Sequence, residues 1–136
     1  MPTSSKRMDI KSSERIGRRR LQARMKNLSS KRAKACAIPH TVKKKVWERD
    51  NLCSIFPPHS PYAFPECHYI SRANSGKGIE ENIFTATREE HRLFDSGTKE
   101  ERDYMRKYAR AYFESIYPNW NEDDLVYDRW KGFAIR

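Results

Sequence analysis

The apolar positions of this chain form a few short patterns separated by polar and proline-rich text. In residues 38–50, IPHTVKKKVWERD, Val42 and Val46 recur four positions apart and Trp47 widens their stripe, while Lys43, Lys44, Lys45 and Arg49 occupy the other side. That spacing predicts a short amphipathic helix with Pro39 in its first turn. Residues 51–66, NLCSIFPPHSPYAFPE, hold four prolines, which exclude a helix or a central strand and leave a loop or irregular hairpin. Residues 67–71, CHYIS, and 80–86, EENIFTA, are strand candidates, joined by the loop ANSGKG at 73–78, whose two glycines permit unusual backbone angles. Residues 88–95, REEHRLFD, read as one or two helical turns ended by Ser96-Gly97.

The longest helix is expected from about Lys99 to Tyr117, opened by a capping-box pairing of Thr98 with Glu101 and stopped by Pro118. Tyr104, Tyr108 and Tyr112 repeat every four residues, with Met105, Ala109 and Ile116 beside them. This stripe is read as core packing rather than as a base-stacking platform. Trp120, Leu125 and Trp130 are expected to dock the tail on the body. Near the N-terminus, Ser12 to Lys26 is compatible with a helix carrying Ile16, Leu21 and Met25 on one side, weakened by Gly17. Helix, two strands and two further helices predict an α+β fold with a modest core.

Charge divides the chain more sharply than hydrophobicity does. Over residues 1–49, 16 lysines and arginines face three acids, a balance of +13; residues 50–136 carry 12 against 15, a balance of −3. The expected organisation is a basic arm at 1–35, flexible or helical, followed by a folded domain at 36–136. A basic arm on a near-neutral body favours a polyanionic partner, nucleic acid first and a membrane surface second. No stretch approaches about 18 consecutive apolar residues, so no transmembrane helix is expected, and the basic N-terminus has no apolar run typical of a secretory signal. The cysteines, Cys36, Cys53 and Cys67, are odd in number and fit a reducing, cytoplasmic setting.

Three polar residues stand in an informative order. His68 lies on the first strand candidate, Asn82 on the second, and His91 on the short helix that follows. A hairpin followed by a helix brings all three to one cleft. Asp95 is one helical turn beyond His91, so the two can share a metal ion. Taken singly, each residue has an ordinary structural explanation: a strand-end histidine, a turn asparagine, a helix-surface histidine.

Taken together with their surroundings, these residues make the chain resemble the HNH endonucleases (ββα-metal nucleases), in particular those encoded by bacteriophages and prophages of Gram-positive bacteria. The resemblance rests on VWERD at 46–50, SPYAFPECHYISRANSGKGIEENIFTA at 60–86 and HRLFDSGTKEERDYM at 91–105, and spans roughly residues 30–136. It implies hydrolysis of DNA phosphodiester bonds with one divalent ion, Mg, Mn, Zn or Ni not being distinguished. His68 matches the general base, Asn82 the residue that orients its imidazole, His91 a metal ligand and Asp95 a further ligand. Arg72 is placed to contact phosphate, and Lys43, Lys44, Lys45, Arg18, Arg19 and Arg20 are further candidate DNA contacts. The implied partner is DNA, in the cytoplasm of a bacterial host; phage packaging or recombination proteins are compatible but not derivable.

The chain also departs from that family. Many members clamp a structural zinc with two Cys-x-x-Cys pairs. Here Cys53 is followed at its partner position by Phe56, and the second pair is replaced by Thr87 and Glu90. A structural zinc is therefore not expected, although His59 and Glu90 could join Cys53 as an alternative ligand set. Cys67 stands where the family often has an Asp or His ligand. It is either a soft ligand favouring zinc or a packed residue. These departures keep a second reading open, a catalytically weakened HNH-like DNA-binding protein, with an RNA- or ribosome-binding protein as a third.

Overall fold

The computed structural model describes residues 17–20, 22 and 31–130. The chain divides into two units, Met1–Lys34 and Ala35–Arg136. In the first, residues 17–20 and 22 are helical and exposed, Arg18, Arg19 and Arg20 among them. The rest of the expected Ser12–Lys26 helix lies outside the described residues, as do residues 131–136 of the tail.

The second unit is α+β. Helix α1 (His40–Arg49) precedes strand β1 (Phe64–His68), a 3-10 turn (Arg72–Asn74), strand β2 (Ile83–Ala86), helices α2 (Arg88–Ser96) and α3 (Lys99–Ile116), and a final 3-10 turn (Glu122–Leu125). The strands form a two-stranded antiparallel sheet that pairs Phe64 with Ala86, Cys67 with Phe84 and His68 with Ile83. β1 starts three residues earlier than its expected 67–71. The register slips between Phe64 and Cys67, and such an irregularity accommodates Pro65, which has no N–H to give the ladder. β2 starts at Ile83 instead of residue 80, because the amides of Asn82 and Ile83 both turn back to the Ile79 carbonyl, at 2.9 and 3.1 Å. Every residue of β2 is buried. Its second edge is covered by the proline-rich loop, where the Ile55 amide donates to the Thr85 carbonyl at 3.0 Å.

Two threonines start the C-terminal helices. Thr87 and Glu90 form a reciprocal capping box on α2, and the Thr98 hydroxyl accepts from the Glu101 amide at the head of α3. The buried face of α3 is Met105, Ala109 and Phe113, one position round from the expected tyrosine stripe. Tyr108 and Tyr112 flank that face, and Tyr104 is 66% exposed. Phe113 wins the inward position because it stacks on Trp120, with centroids 5.5 Å apart, while meeting Phe84 edge-on. Trp120 and Leu125 do dock the tail; Trp130 is exposed, with the Arg129 guanidinium on its ring.

The glycines of the 73–78 loop serve close approach rather than unusual angles. Neither has a positive φ; the left-handed residue there is Ser75, at φ 63°. A Cβ at Gly76 would lie 1.7 Å from the Ile70 carbonyl oxygen, and one at Gly78 would lie 1.9 Å from that of Ala37.

Arg49, expected on the solvent side of α1, turns inward instead. It grips the adjacent Asp50 through Nε to Oδ1 at 2.8 Å and Nη2 to Oδ2 at 3.2 Å. Its remaining N–H groups donate to the carbonyls of Glu80 and Ile83 and to the Tyr117 hydroxyl. The guanidinium also lies over the rings of Tyr112, Phe113 and Tyr117. Asp50 in turn accepts from the Thr85 amide at 2.9 Å and from the Tyr112 hydroxyl. Burial works against the Arg49 charge, but Asp50 more than offsets it, and the guanidinium pKa is raised. Asp50→Ala would strand this buried cation. We expect it to lower stability by about 3–5 kcal/mol, measured by urea unfolding.

Candidate active site

An open pocket of about 560 Å³ lies where β1, the turn after it, the start of α1 and helix α2 meet. His68, Arg72, His91, Asp95, Lys43 and Glu66 line it. Strand alternation sorts the residues of β1. His68 and Glu66 share the pocket side, and Cys67 between them points the other way.

His68 is 8% exposed, and its Nε2 lies 2.9 Å from the Cys36 carbonyl oxygen. A carbonyl can only accept, so Nε2 carries the proton and Nδ1 is the basic nitrogen of the neutral ring. Burial holds the imidazole pKa below its ordinary value. The Cys36 carbonyl opposes that shift, the charges of Arg72 and His91 add to it, and Asp95 opposes it. The site therefore favours a neutral His68.

The Asn82 side chain does not hold the His68 imidazole directly. Its side chain is fully buried and spent on backbone: Oδ1 accepts from the Ile70 amide at 2.8 Å, and Nδ2 donates to the carbonyls of Ile70 at 3.1 Å and Lys77 at 2.8 Å. It clamps the loop that leaves β1, the loop that carries Ser71 and Arg72 to the pocket. The orienting group on the imidazole is the backbone of Cys36. Asn82 thus acts on the site through the chain.

On α2, His91 Nε2 and Asp95 Oδ2 are 3.2 Å apart, with side chains 40% and 48% exposed. Cys67 does not join them. It is 1% exposed, belongs to the core cluster with Phe84 and Phe94, and has its thiol pKa pushed up, chiefly by burial. A protonated thiol on the core side of β1 is not a ligand at this pocket, so its packed reading replaces the metal-ligating one. Among the described residues, no group of three or more His, Cys, Asp and Glu is placed to hold a metal ion.

The alternative set of Cys53, His59 and Glu90 does not converge either. The Cys53 thiol donates to the Asp50 carbonyl, His59 Nδ1 contacts the Ser54 carbonyl, and Glu90 accepts from the Ser54 hydroxyl and from the Thr87 amide within its cap. The Ser54–Glu90 bond thus ties the proline-rich loop to the start of α2, where the resemblance would put a zinc clamp.

Of the basic candidates, Arg72 and Lys43 reach the pocket. Lys43 is paired there with Glu66 at 3.1 Å. Lys44 and Lys45 are exposed on α1 outside it, and Arg18, Arg19 and Arg20 belong to the other unit. Glu66 was missed because β1 was expected to begin at Cys67; a strand that starts three residues earlier puts residue 66 on the same side as His68. The Cys36 carbonyl, a backbone group 32 positions away from His68, has no signature in side-chain sequence.

Neither protein-family models, curated proteins nor solved structures gave a match to this chain. Among the described residues, no helix is long and apolar enough to cross a membrane.

The lowered His68 pKa has a consequence for stability. The native ring resists protonation, while the unfolded ring takes a proton near 6.5. Stability contributed by neutral His68 is full above that value and is lost as pH falls from it towards the lower native pKa. Urea midpoints measured across this window should fall with acid in the wild type and fall less in His68→Gln.

Proposed function

We propose that this chain is an HNH-type endonuclease that hydrolyses DNA phosphodiester bonds with a divalent metal ion and with His68 as general base. The observation that carries the reading is the convergence of His68, Arg72, His91 and Asp95 on one open pocket, with the His68 ring desolvated and its tautomer fixed. His91 and Asp95 would hold such an ion as an exposed nitrogen–oxygen pair. When bound, the ion supplies charge stabilisation for the phosphate and the departing oxygen.

The chain's own residues account for the rest. Nδ1 of His68 takes the proton of the attacking water, while Nε2–H stays on the Cys36 carbonyl and keeps the ring from turning. The imidazolium so formed sits in a desolvated place, which favours release of the proton afterwards. Arg72 and Lys43 hold phosphate at the pocket mouth, and the exposed Lys44, Lys45, Arg18, Arg19 and Arg20 add affinity that does not depend on sequence. The setting that goes with this reading is the cytoplasm of a bacterial host.

A second reading, a DNA-binding protein with weakened cleavage, is favoured by one observation: no third ligand joins His91 and Asp95 among the described residues. A plasmid assay with magnesium, manganese, nickel or zinc separates the two. His68→Ala should lower the cleavage rate by about 10²–10⁴, and His91→Ala should be at least as damaging. Cleavage that survives both His68→Ala and excess EDTA refutes the mechanism. Tight duplex binding by a wild type that cleaves with none of these metals supports the second reading.

A further inference from the structure

A groove of about 850 Å³ lies on the other side of α1 from the interior, floored by Trp47, Leu52, Tyr62 and Phe64 and edged by Lys43 and Lys44. Four of the six exposed large hydrophobic residues among the described residues meet here: Trp47 at 41%, Leu52 at 47%, Tyr62 at 84% and Phe64 at 43%. Such a concentration of apolar side chains marks a binding surface rather than ordinary scatter. Two of these side chains are placed by the Schellman-type end of α1, in which the Asn51 amide donates to the Glu48 carbonyl and the Leu52 amide to the Trp47 carbonyl. Asn51 and Leu52 are both left-handed, at φ 59° and 60°, and that conformation is unfavourable for a residue as bulky as leucine. The turn is closed by the Leu52 amide on the Trp47 carbonyl at 2.9 Å, which brings the two side chains to the same groove.

Charge decides among occupants. At the groove edge Lys44 and Arg88, the latter over the Phe64 ring at 5.2 Å, with Lys43 shared with Glu66, outweigh Glu48, and this balance disfavours a second copy of a chain with net charge +10 and its own basic segment. Flat rings interleaved with lysines suit a polyanion that carries π faces. Lys43 lines both this groove and the pocket of His68 and His91, so the two recesses share a wall.

We propose that this groove binds unpaired DNA bases, stacked on Trp47 and Tyr62 with their phosphates on Lys43 and Lys44, and that the substrate is DNA with a single-stranded segment beside the scissile bond. The choice of DNA rests on the nuclease reading; the stacking surface does not.

The test is therefore made in EDTA, on binding alone. Full-length protein is titrated with short oligo(dT), with an abasic strand carrying the same number of phosphates, and with a blunt duplex. Oligo(dT) should bind about tenfold or more tighter than the abasic strand. It should also quench tryptophan fluorescence in the wild type and not in Trp47→Phe. The double variant Trp47→Ala/Tyr62→Ala should lose about tenfold or more in oligo(dT) affinity and stay within about twofold on duplex. Both side chains are exposed, so the variant is expected to fold, which circular dichroism checks. Equal affinity for oligo(dT) and the abasic strand overturns the proposal, as does an oligo(dT) affinity unchanged in the double variant. A dimer in sedimentation that the double variant dissolves would give the groove to a second copy and also overturn it. The nuclease reading fails separately: if the wild type stacks oligo(dT) in this way but cleaves nothing with any metal, the groove stands and the chemistry falls.

Discussion

The pairing of Arg49 with Asp50 is the constraint on which the rest of this fold depends. Two adjacent charged residues at the end of α1 are taken out of water together, and neither is tolerable there without the other. Their remaining hydrogen-bonding capacity is spent on the Thr85 amide of β2, on the carbonyls of Glu80 and Ile83, and on the hydroxyls of Tyr112 and Tyr117. One ion pair thus fixes α1 against β2, the start of β2 against the turn before it, and α3 against both. In a domain with only two short strands, apolar area alone leaves such relations loosely specified, and directional bonds supply the missing precision.

The pocket inherits its geometry from this arrangement. β2 is held by the Arg49–Asp50 hub on one side and pairs with β1 on the other, so the hub sets where His68 emerges from the sheet. Asn82, directly before β2, then grips the Ile70 and Lys77 backbone and fixes the loop leaving β1. The Cys36 carbonyl reaches His68 because Ala35 accepts from the Gly78 amide at 3.0 Å, and a Cβ at Gly78 would collide with the neighbouring Ala37 carbonyl. Residues with no chemistry of their own therefore decide the tautomer and the solvation of the His68 imidazole.

Much of this was legible in the sequence, for reasons that can be named. Proline at residue 39 and threonine at residue 98 mark helix starts by local bonding rules, and those starts appear within a residue or two of expectation, whereas the Thr87 cap on α2 was not read. His91 and Asp95 meet because i, i+4 spacing alone suffices. What could not be read depends on which groups are already engaged. Asn82 looked free to hold an imidazole, but three backbone groups claim its amide. Arg49 looked solvated beside three lysines, although only it had an acid next in sequence and aromatic rings arriving from α3, some 60 residues later in the chain. In α3 the expected stripe packs through Met105 and Ala109, with Tyr108 and Tyr112 against the core, while Tyr104 is exposed and Phe113, stacked on Trp120, takes the interior position that the tyrosine spacing did not name. Cys67 and His68 alternate wherever β1 begins; what the sequence did not say is which side of the strand is the core, and the packing of Cys67 with Phe84 and Phe94 decides it.

Helix α1 joins these observations. One face carries Val46 and Arg49 into the interior, and another presents Trp47 and Lys44 to the groove. Lys43, between the groove and the His68 pocket, is paired with Glu66, so its charge is neutralised while no anion is present. The pair is partly exposed and lies in solvent-screened surroundings, where such pairs are weak and easily exchanged. A phosphate arriving between the two recesses competes with Glu66 for the same ammonium group. The carboxylate that the sequence reading did not name thus holds the one ammonium group that lines both recesses.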